Sequence, residues 1–289
     1  MYGQERARAL ELRERYPHAR EVLGLYLALV DVWESADPGG VRADGGSVPS
    51  SGAGEGRGAA PGGNAWLEWA AAVVLPRVMA ATAAHGPRPL AEAVGGVGAG
   101  DGAGLLAAWV AGEELTPVER FLARATMRVV PVERRPESAA GRCPACGGPP
   151  QLSYRLASED PLVSGRRMLA CAACPHEWSF SATTCPNCGE SGKRTVHAEA
   201  HANPPAASPE AGSASRTGPY VGRHGPVPEA MFPQLRAESC ESCHRYLIDV
   251  DLGRDPGAVP RVDELAAVPV DLYMAEQGHT KITANLMGF

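Results

Sequence analysis

Apolar side chains at Leu12, Val22, Tyr26, Leu29, Val30 and Trp33 recur every three or four residues, the spacing that lines one face of a helix. Pro17 falls inside that run and suits a first helical turn, so residues 4–33 are predicted to form two helices. The pattern stops at Asp37. Residues 37–63 are mostly Gly, Ser, Ala and Pro, and a stretch with so few large apolar groups cannot offset its own ordering entropy, which predicts a disordered insertion. Periodicity returns with Trp66, Trp69, Val73, Val74 and Val78, where Pro76 is expected to kink or restart the helix. A glycine-rich break at 95–104 precedes Leu105, Leu106, Trp109 and Val110. Thr116-Pro117-Val118-Glu119 then supplies an N-cap, an N1 proline and an N3 glutamate ahead of Phe121, Leu122, Ala125 and Val129. Pro131 and Pro136 close that helix, and residues 1–139 read as a helical domain.

From Cys143 onward short runs of strand character lie between Pro and Gly turns, at 151–156, 167–170, 177–181, 194–198 and 246–250. A second Pro/Ala/Ser/Gly stretch at 201–224 is expected to be a flexible insertion. The predicted architecture is α+β and multi-module. A helical N-terminal domain is followed by two β modules, 140–184 and 185–250, and by a C-terminal helical segment and tail over 251–289.

The chemistry of the second half lies in its cysteines. All eight sit in Cys-x-x-Cys pairs: Cys143/Cys146, Cys171/Cys174, Cys185/Cys188 and Cys240/Cys243. Two thiolates two residues apart can face one ion because the turn between them reverses the chain, and two such turns complete a tetrahedron. A redox dithiol normally occurs once, at a helix start, so four pairs among hairpins point to metal. The pairs alternate in kind. Cys143-Pro-Ala-Cys146-Gly147 and Cys185-Pro-Asn-Cys188-Gly189 share one form, and Cys171-Ala-Ala-Cys174 and Cys240-Glu-Ser-Cys243 share another. That order suggests a duplicated unit and favours sequential pairing, first with second and third with fourth. A cross-brace of first with third and second with fourth is the alternative.

Four thiolates leave no open position for water, so the ions are expected to be structural or redox-active, not hydrolytic. His176 and His244 follow cysteine pairs closely, but each site already has four sulfurs, so both are expected to be surface residues or to lie just outside the sulfurs. His197, His201 and His224 border the 201–224 stretch and are treated alike. Trp178 and Tyr246, just beyond the second pair of each unit, are expected to cover the metal sites. Glu113-Glu114 and Asp263-Glu264 suit helix starts, no nucleophile triad stands out, and the chain is not expected to be an enzyme.

Composition narrows the partners. The formal net charge is −6, and Lys193 and Lys281 are the only lysines, so no broad positive field invites nucleic acid. No run approaching ~18–20 apolar residues is apparent, and the N-terminus has no apolar targeting region, which predicts no membrane insertion and a cytoplasmic location.

One longer string ties these motifs together. Cys143-Pro-x-Cys146-Gly-x-x-Pro150 is followed by Arg167-Met-Leu-Ala-Cys171-x-x-Cys174-x-x-Glu177-Trp178 and by Cys185-x-x-Cys188. Glu238-Ser-Cys240-x-x-Cys243-x-x-Tyr246-Leu247, Val262-Asp263-Glu264-Leu265-Ala266 and Glu276-x-Gly278 complete it. The string resembles the FdhE family of formate dehydrogenase accessory proteins over residues 140–289. The resemblance implies a helical domain with two rubredoxin-like, zinc-ribbon-like modules, and two metal ions on the eight cysteines, iron being expected and zinc also suiting the thiolates. It further implies a cytoplasmic maturation factor that binds the catalytic subunit of formate dehydrogenase. Rubredoxin-like electron transfer and a nucleic-acid-binding ribbon are the alternatives, and self-association is left open.

Overall fold

A computed structural model describes residues 2–36, 63–97, 102–130, 140–157, 165–198 and 231–288. The predicted insertions at 37–63 and 201–224 lie outside the described residues, except for Gly63, which opens a helix.

The N-terminal half is helical, as its periodicity predicts. Helix α1 spans Gly3–Arg15, a 3-10 turn spans Pro17–Ala19 with proline at its start, and α2 spans Arg20–Ala36. Helix α2 buries Leu23, Leu25, Leu29, Val30 and Trp33 around most of its circumference and so forms the centre of the helical layer. The Trp33 indole N–H donates to the Ala125 carbonyl at 2.8 Å, tying α2 to the last helix of the half.

Helix α3 (Gly63–Trp69) runs through a π-helical turn (Ala70–Val74) into α4 (Leu75–His85). Pro76 is the reason for the widened turn. Its ring collides with the carbonyl four residues back in a regular helix, and adding one residue to the turn relieves the collision without ending the helix. Taken together, 65–85 is long and apolar enough to cross a membrane by length and composition, contrary to the expectation from sequence. Its buried positions Ala70, Val74, Leu75, Val78 and Thr82 pack into the helical half, and Glu68 and Arg77 interrupt its apolar run.

A short helix not anticipated from sequence, α5 (Arg88–Gly95), is followed by α6 (Gly102–Ala111) and α7 (Pro117–Met127). The capping box at Thr116 and Glu119 is present, with Glu119 N–H donating to Thr116 Oγ1 and Thr116 N–H donating back to the Glu119 carboxylate.

The cysteine-bearing half is a single mixed sheet. Its strands are β1 (Pro150–Arg155), β2 (Arg167–Cys171), β3 (Glu177–Ser179), β4 (Arg194–Ala198), β5 (Leu235–Cys240), β6 (Arg245–Asp251) and β7 (Thr280–Lys281). Strands β1 to β3 form one antiparallel unit and β4 to β6 another. Parallel pairing of Ser153–Arg155 with Asp249–Asp251 fuses them in the order β3-β2-β1-β6-β5-β4, and β7 adds to β6. The two predicted cysteine units thus share one continuous sheet.

Alternation gives the sheet two different faces. Leu152, Tyr154, Ala170, Leu235, Ala237, Tyr246, Ile248 and Val250 point to one side and join the core that contains α1 and α2. The other side carries Ser153, Arg155, Arg167, Glu238 and Asp249, all on β1, β2, β5 and β6. Glu238 is fully enclosed and receives Arg155, Arg194 and, at 2.8 Å, Arg167. Asp249 receives Ser153 at 2.6 Å, Arg155 at 3.2 Å and Arg236 at 2.7 Å. β2 lies three strands from β5, so the shared carboxylate requires this face to curl.

The C-terminal segment wedges between sheet and helices through α8 (Pro260–Asp263), a 3-10 turn (Glu264–Ala266) and α9 (Val268–Glu276). Asp263 and Glu264 lie in first helical turns, as the sequence suggests, and are there fully buried as ion-pair anchors. Arg8 of α1 donates to both oxygens of Asp263 at 2.6 and 3.0 Å, while Lys281 reaches Glu264 at 2.9 Å and Asp271 at 3.1 Å.

Burial alone would raise the Glu238 pKa, yet Arg167, Arg194 and Arg155 together hold it below the usual glutamate value. Its contribution is therefore complete above the ordinary glutamate range and is lost as pH falls through the lower folded-state value. Glu238→Gln should destabilise the chain by about 3–5 kcal/mol at neutral pH, because it leaves buried guanidinium groups unanswered. Denaturant unfolding at neutral and acidic pH should also show the variant losing less stability on acidification than the parent.

Candidate metal centres

The sequence Cys-Pro-x-Cys-Gly folds into the same turn twice. In the first, Gly147 N–H donates to Cys143 O at 2.8 Å and Cys143 N–H donates to Gly148 O at 2.9 Å. In the second, Gly189 N–H donates to Cys185 O at 2.9 Å and Cys185 N–H to Glu190 O at 2.8 Å. Gly147 and Gly189 sit at φ of +75° and +79°, a conformation that costs side-chain-bearing residues energy. The other two pairs sit at hairpins. Cys171 and Cys240 end β2 and β5, and Cys174 and Cys243 lie in the turns to β3 and β6.

These turns bring the eight sulfurs into two groups, Cys143/Cys146/Cys171/Cys174 and Cys185/Cys188/Cys240/Cys243, which is the sequential pairing. In the first group Cys143 and Cys174 sulfurs are 3.7 Å apart and those of Cys146 and Cys171 3.4 Å; the equivalent pairs in the second, Cys185 with Cys243 and Cys188 with Cys240, are 3.8 and 3.7 Å apart. A tetrahedral ion with metal–sulfur bonds of about 2.3 Å places its ligands about 3.8 Å from one another. Both groups therefore have the size of a tetrathiolate site and could each hold one metal ion.

Backbone amides reinforce the first group. Ala145, Gly148 and Ala173 N–H donate to the sulfurs of Cys143, Cys146 and Cys171 at 3.4, 3.3 and 3.3 Å, an arrangement that favours thiolate over thiol. Hydrogen bonds from Cys171 and Cys174 lower Cys146 to about 4, and the same sharing raises Cys174. Burial raises Cys185 to about 12. Four sulfurs this close cannot all ionise against one another unless a cation joins them.

The groups differ in their surroundings. Cys143 and Cys171 are fully buried and Cys174 nearly so, with Trp178 packed against them. Arg261 from α8 donates to Cys171 O at 2.9 Å and to Cys174 O at 3.3 Å, fastening this knuckle to the C-terminal segment. In the second group Cys188 is exposed and Cys243 half-buried. Tyr246 does not cover it; that ring lies in the main core and donates to Asp271 at 2.9 Å. His176 and His244 are exposed and belong to neither sulfur group, and His197 donates or accepts at Ser239 Oγ, 2.9 Å away. His201 and His224 lie outside the described residues. Arg261 and Gly148 are the contributors that sequence reasoning missed. The only signal was the doubled glycine at 147–148 where the second unit has Gly189-Glu190.

A helical half joined to a sheet bearing two all-cysteine knuckle groups defines a protein with two tetracysteine centres. Residues 223–287 match the family model described as the C-terminal domain of FdhE. The "Protein FdhE homolog" of Aquifex aeolicus is 29% identical over 147 residues, covering 51% of this chain and 41% of that protein. The "Protein FdhE homolog" of Pseudomonas aeruginosa is 29% identical over 145 residues, covering 50% and 38%. The matched stretch therefore spans less than half the length of these curated relatives. The crystal structure of the FdhE protein from Pseudomonas aeruginosa shares the fold at TM-score 0.57 and 21% identity, covering 99% of this chain and 95% of that one. The family these findings support is FdhE.

An added Cβ at Gly148 would lie 3.1 Å from Cys171 Sγ and 3.2 Å from Cys146 Sγ. Gly148→Ala should therefore speed metal loss to a chelator from the first group alone, while Glu190→Ala at the equivalent position should leave retention by the second unchanged. Metal release followed with a colorimetric chelator, in parent and both variants, checks this.

Proposed function

We propose that this chain is a cytoplasmic, non-catalytic accessory protein that binds the catalytic subunit of formate dehydrogenase and supports its assembly or activation. The observation that carries the proposal is the pair of all-cysteine groups, each with tetrahedral spacing, set in one sheet that is locked to a helical domain. The four sulfurs of each group would hold one ion, with Cys143, Cys146, Cys171 and Cys174 on the first and Cys185, Cys188, Cys240 and Cys243 on the second. Four protein ligands fill a tetrahedral ion, which suits a scaffold better than hydrolysis. The FdhE family supports the choice of client, and iron is the metal expected from the family, with zinc compatible with the same sulfurs.

Exposure of Cys188 favours one second reading, electron exchange with the client. Iron held by four thiolates supplies a one-electron step when bound, and zinc does not. The net charge of −6 disfavours a nucleic-acid ribbon.

Protein purified without oxygen should carry about two metal ions per chain, and a thiolate-to-iron absorption band that bleaches on reduction would select the electron-transfer reading over a purely structural one. Co-purification of the catalytic subunit should fall at least about tenfold when Cys171 and Cys174 are both replaced by Ser, since the first group is integral to the domain seam. Unchanged metal content together with unchanged capture would refute the proposal.

A further inference from the structure

A cavity of about 60 Å³ lies where α2, α7 and the knuckle at 172–175 meet the C-terminal segment. Trp33, Trp109 and Leu265 contribute apolar walls, and Arg124, Arg128 and Arg261 contribute three guanidinium groups. Such a concentration of positive charge at a half-apolar wall needs an account of what answers it.

One of the three is paired with a carboxylate within the protein. Arg128 pairs with Glu5 at 3.0 Å and lies over the Trp33 ring, 5.8 Å from its centroid. Arg261 donates to the carbonyls of Cys171 and Cys174, which are neutral acceptors. Arg124 likewise donates to the carbonyls of Ala284 and Asn285 at 2.6 and 2.8 Å and to Gln151 Oε1 at 2.7 Å, all neutral acceptors. Among the described residues no carboxylate lies within ion-pair distance of it. Glu264, whose charge favours Arg124 most, is held by Lys281 at 2.9 Å and by the Gln151 amide. Burial lowers Arg124 only to about 10, so it stays charged at neutral pH. Among the described residues the cavity therefore holds two guanidinium groups, Arg124 and Arg261, whose hydrogen-bond acceptors are all neutral. A planar guanidinium with free N–H groups is best complemented by a carboxylate, and the tryptophan walls suit a short carbon chain beside it.

We propose that this cavity is a binding site for a single carboxylate group, received by Arg124 with Arg128 and Arg261 flanking it. The site deepens the docking function and rests on it where the carboxylate belongs to the client polypeptide; a free small carboxylate offers the same chemistry.

The test uses the metal-loaded full chain and its tryptophan fluorescence. The probes are propionate and its uncharged isostere propionamide, and the peptide acetyl-Gly-Gly-Leu as free acid and as C-terminal amide. At least one acid should give a saturable change that its amide does not, and Arg124→Gln should weaken it at least about tenfold, the loss expected for a charged hydrogen bond. Because Arg124 also holds the C-terminal segment, Arg128→Gln, which keeps those carbonyl bonds, serves as a second variant and should weaken binding severalfold. Saturation by the peptide acid alone assigns the carboxylate to a polypeptide, and equal saturation by propionate assigns it to a free acid. The absence of a saturable response, amides binding as well as acids, or acid binding unchanged in both variants would overturn the site. Capture of the catalytic subunit, measured in parallel, separates the two claims: capture intact without carboxylate binding removes only the cavity site, and carboxylate binding without capture removes only the docking role.

Discussion

The cysteine-bearing half depends on one buried carboxylate. The Glu238 side chain has no exposed surface and meets guanidinium groups from β1, β2 and β4. Desolvating such charges is expensive, and an ion network in a protein interior adds little net stability over a well-packed apolar core. What it does fix is register. A one-residue slip of β5 would turn Glu238 to the apolar face and strand three buried cations together, so the two antiparallel units can join in only one way. Asp249 performs the same service one strand over, where Ser153 and Arg155 reach it across the parallel β1–β6 seam and Arg236 reaches it from β5.

The helical half is fastened to this sheet by similar means, through a segment that contributes little regular structure of its own. Asp263 accepts Arg8 from α1 and Gln234 from the approach to β5, and its own backbone neighbour Val259 donates to it at 2.8 Å. Burial raises the Asp263 carboxyl above the usual aspartate value even with Arg8 beside it, which marks how completely this seam excludes water. Gln151, Glu264, Lys281, Asp271 and Tyr246 continue the chain of polar contacts from β1 to α9. The apolar core supplies most of the driving force, and these paired charges decide which surfaces meet.

That division explains what could be read from the sequence. Helices α2 and α7 were legible because period-3.6 apolar positions and a capping box are local signals, and the cysteine pairs because their spacing is itself a geometry. Strand β5 was missed for a physical reason. Its residues Leu235-Arg-Ala-Glu-Ser-Cys240 bury both faces, one against small apolar groups and the other against ion pairs, so the polar positions resemble a solvated loop. The roles of Asp263, Glu264 and Arg261 were likewise invisible, since each is defined by partners distant in the chain. Pro76 was recognised as a disturbance, and the π-turn before it is what lets α3 run on into α4.

The duplicated knuckle also shows how identical local chemistry acquires different consequences. Both groups have the same turn, the same paired sulfurs and the same glycine at positive φ. The first is covered by Trp178 and bound through Arg261 to the segment that meets the helical half, and a side chain at Gly148 would crowd its sulfurs. The second lies beyond β5 with Cys188 open to solvent, and Glu190 occupies the position equivalent to Gly148. An ion at the first group would therefore cross-link the sheet at the seam between the two halves, so its loss would loosen a junction that many buried charges depend on. An ion at the second would cross-link only the outer hairpin and the turn before β4, where disorder can stay local while the sulfurs remain within reach of a partner. The two sites share one local geometry, and the helical half and the C-terminal segment make one of them internal.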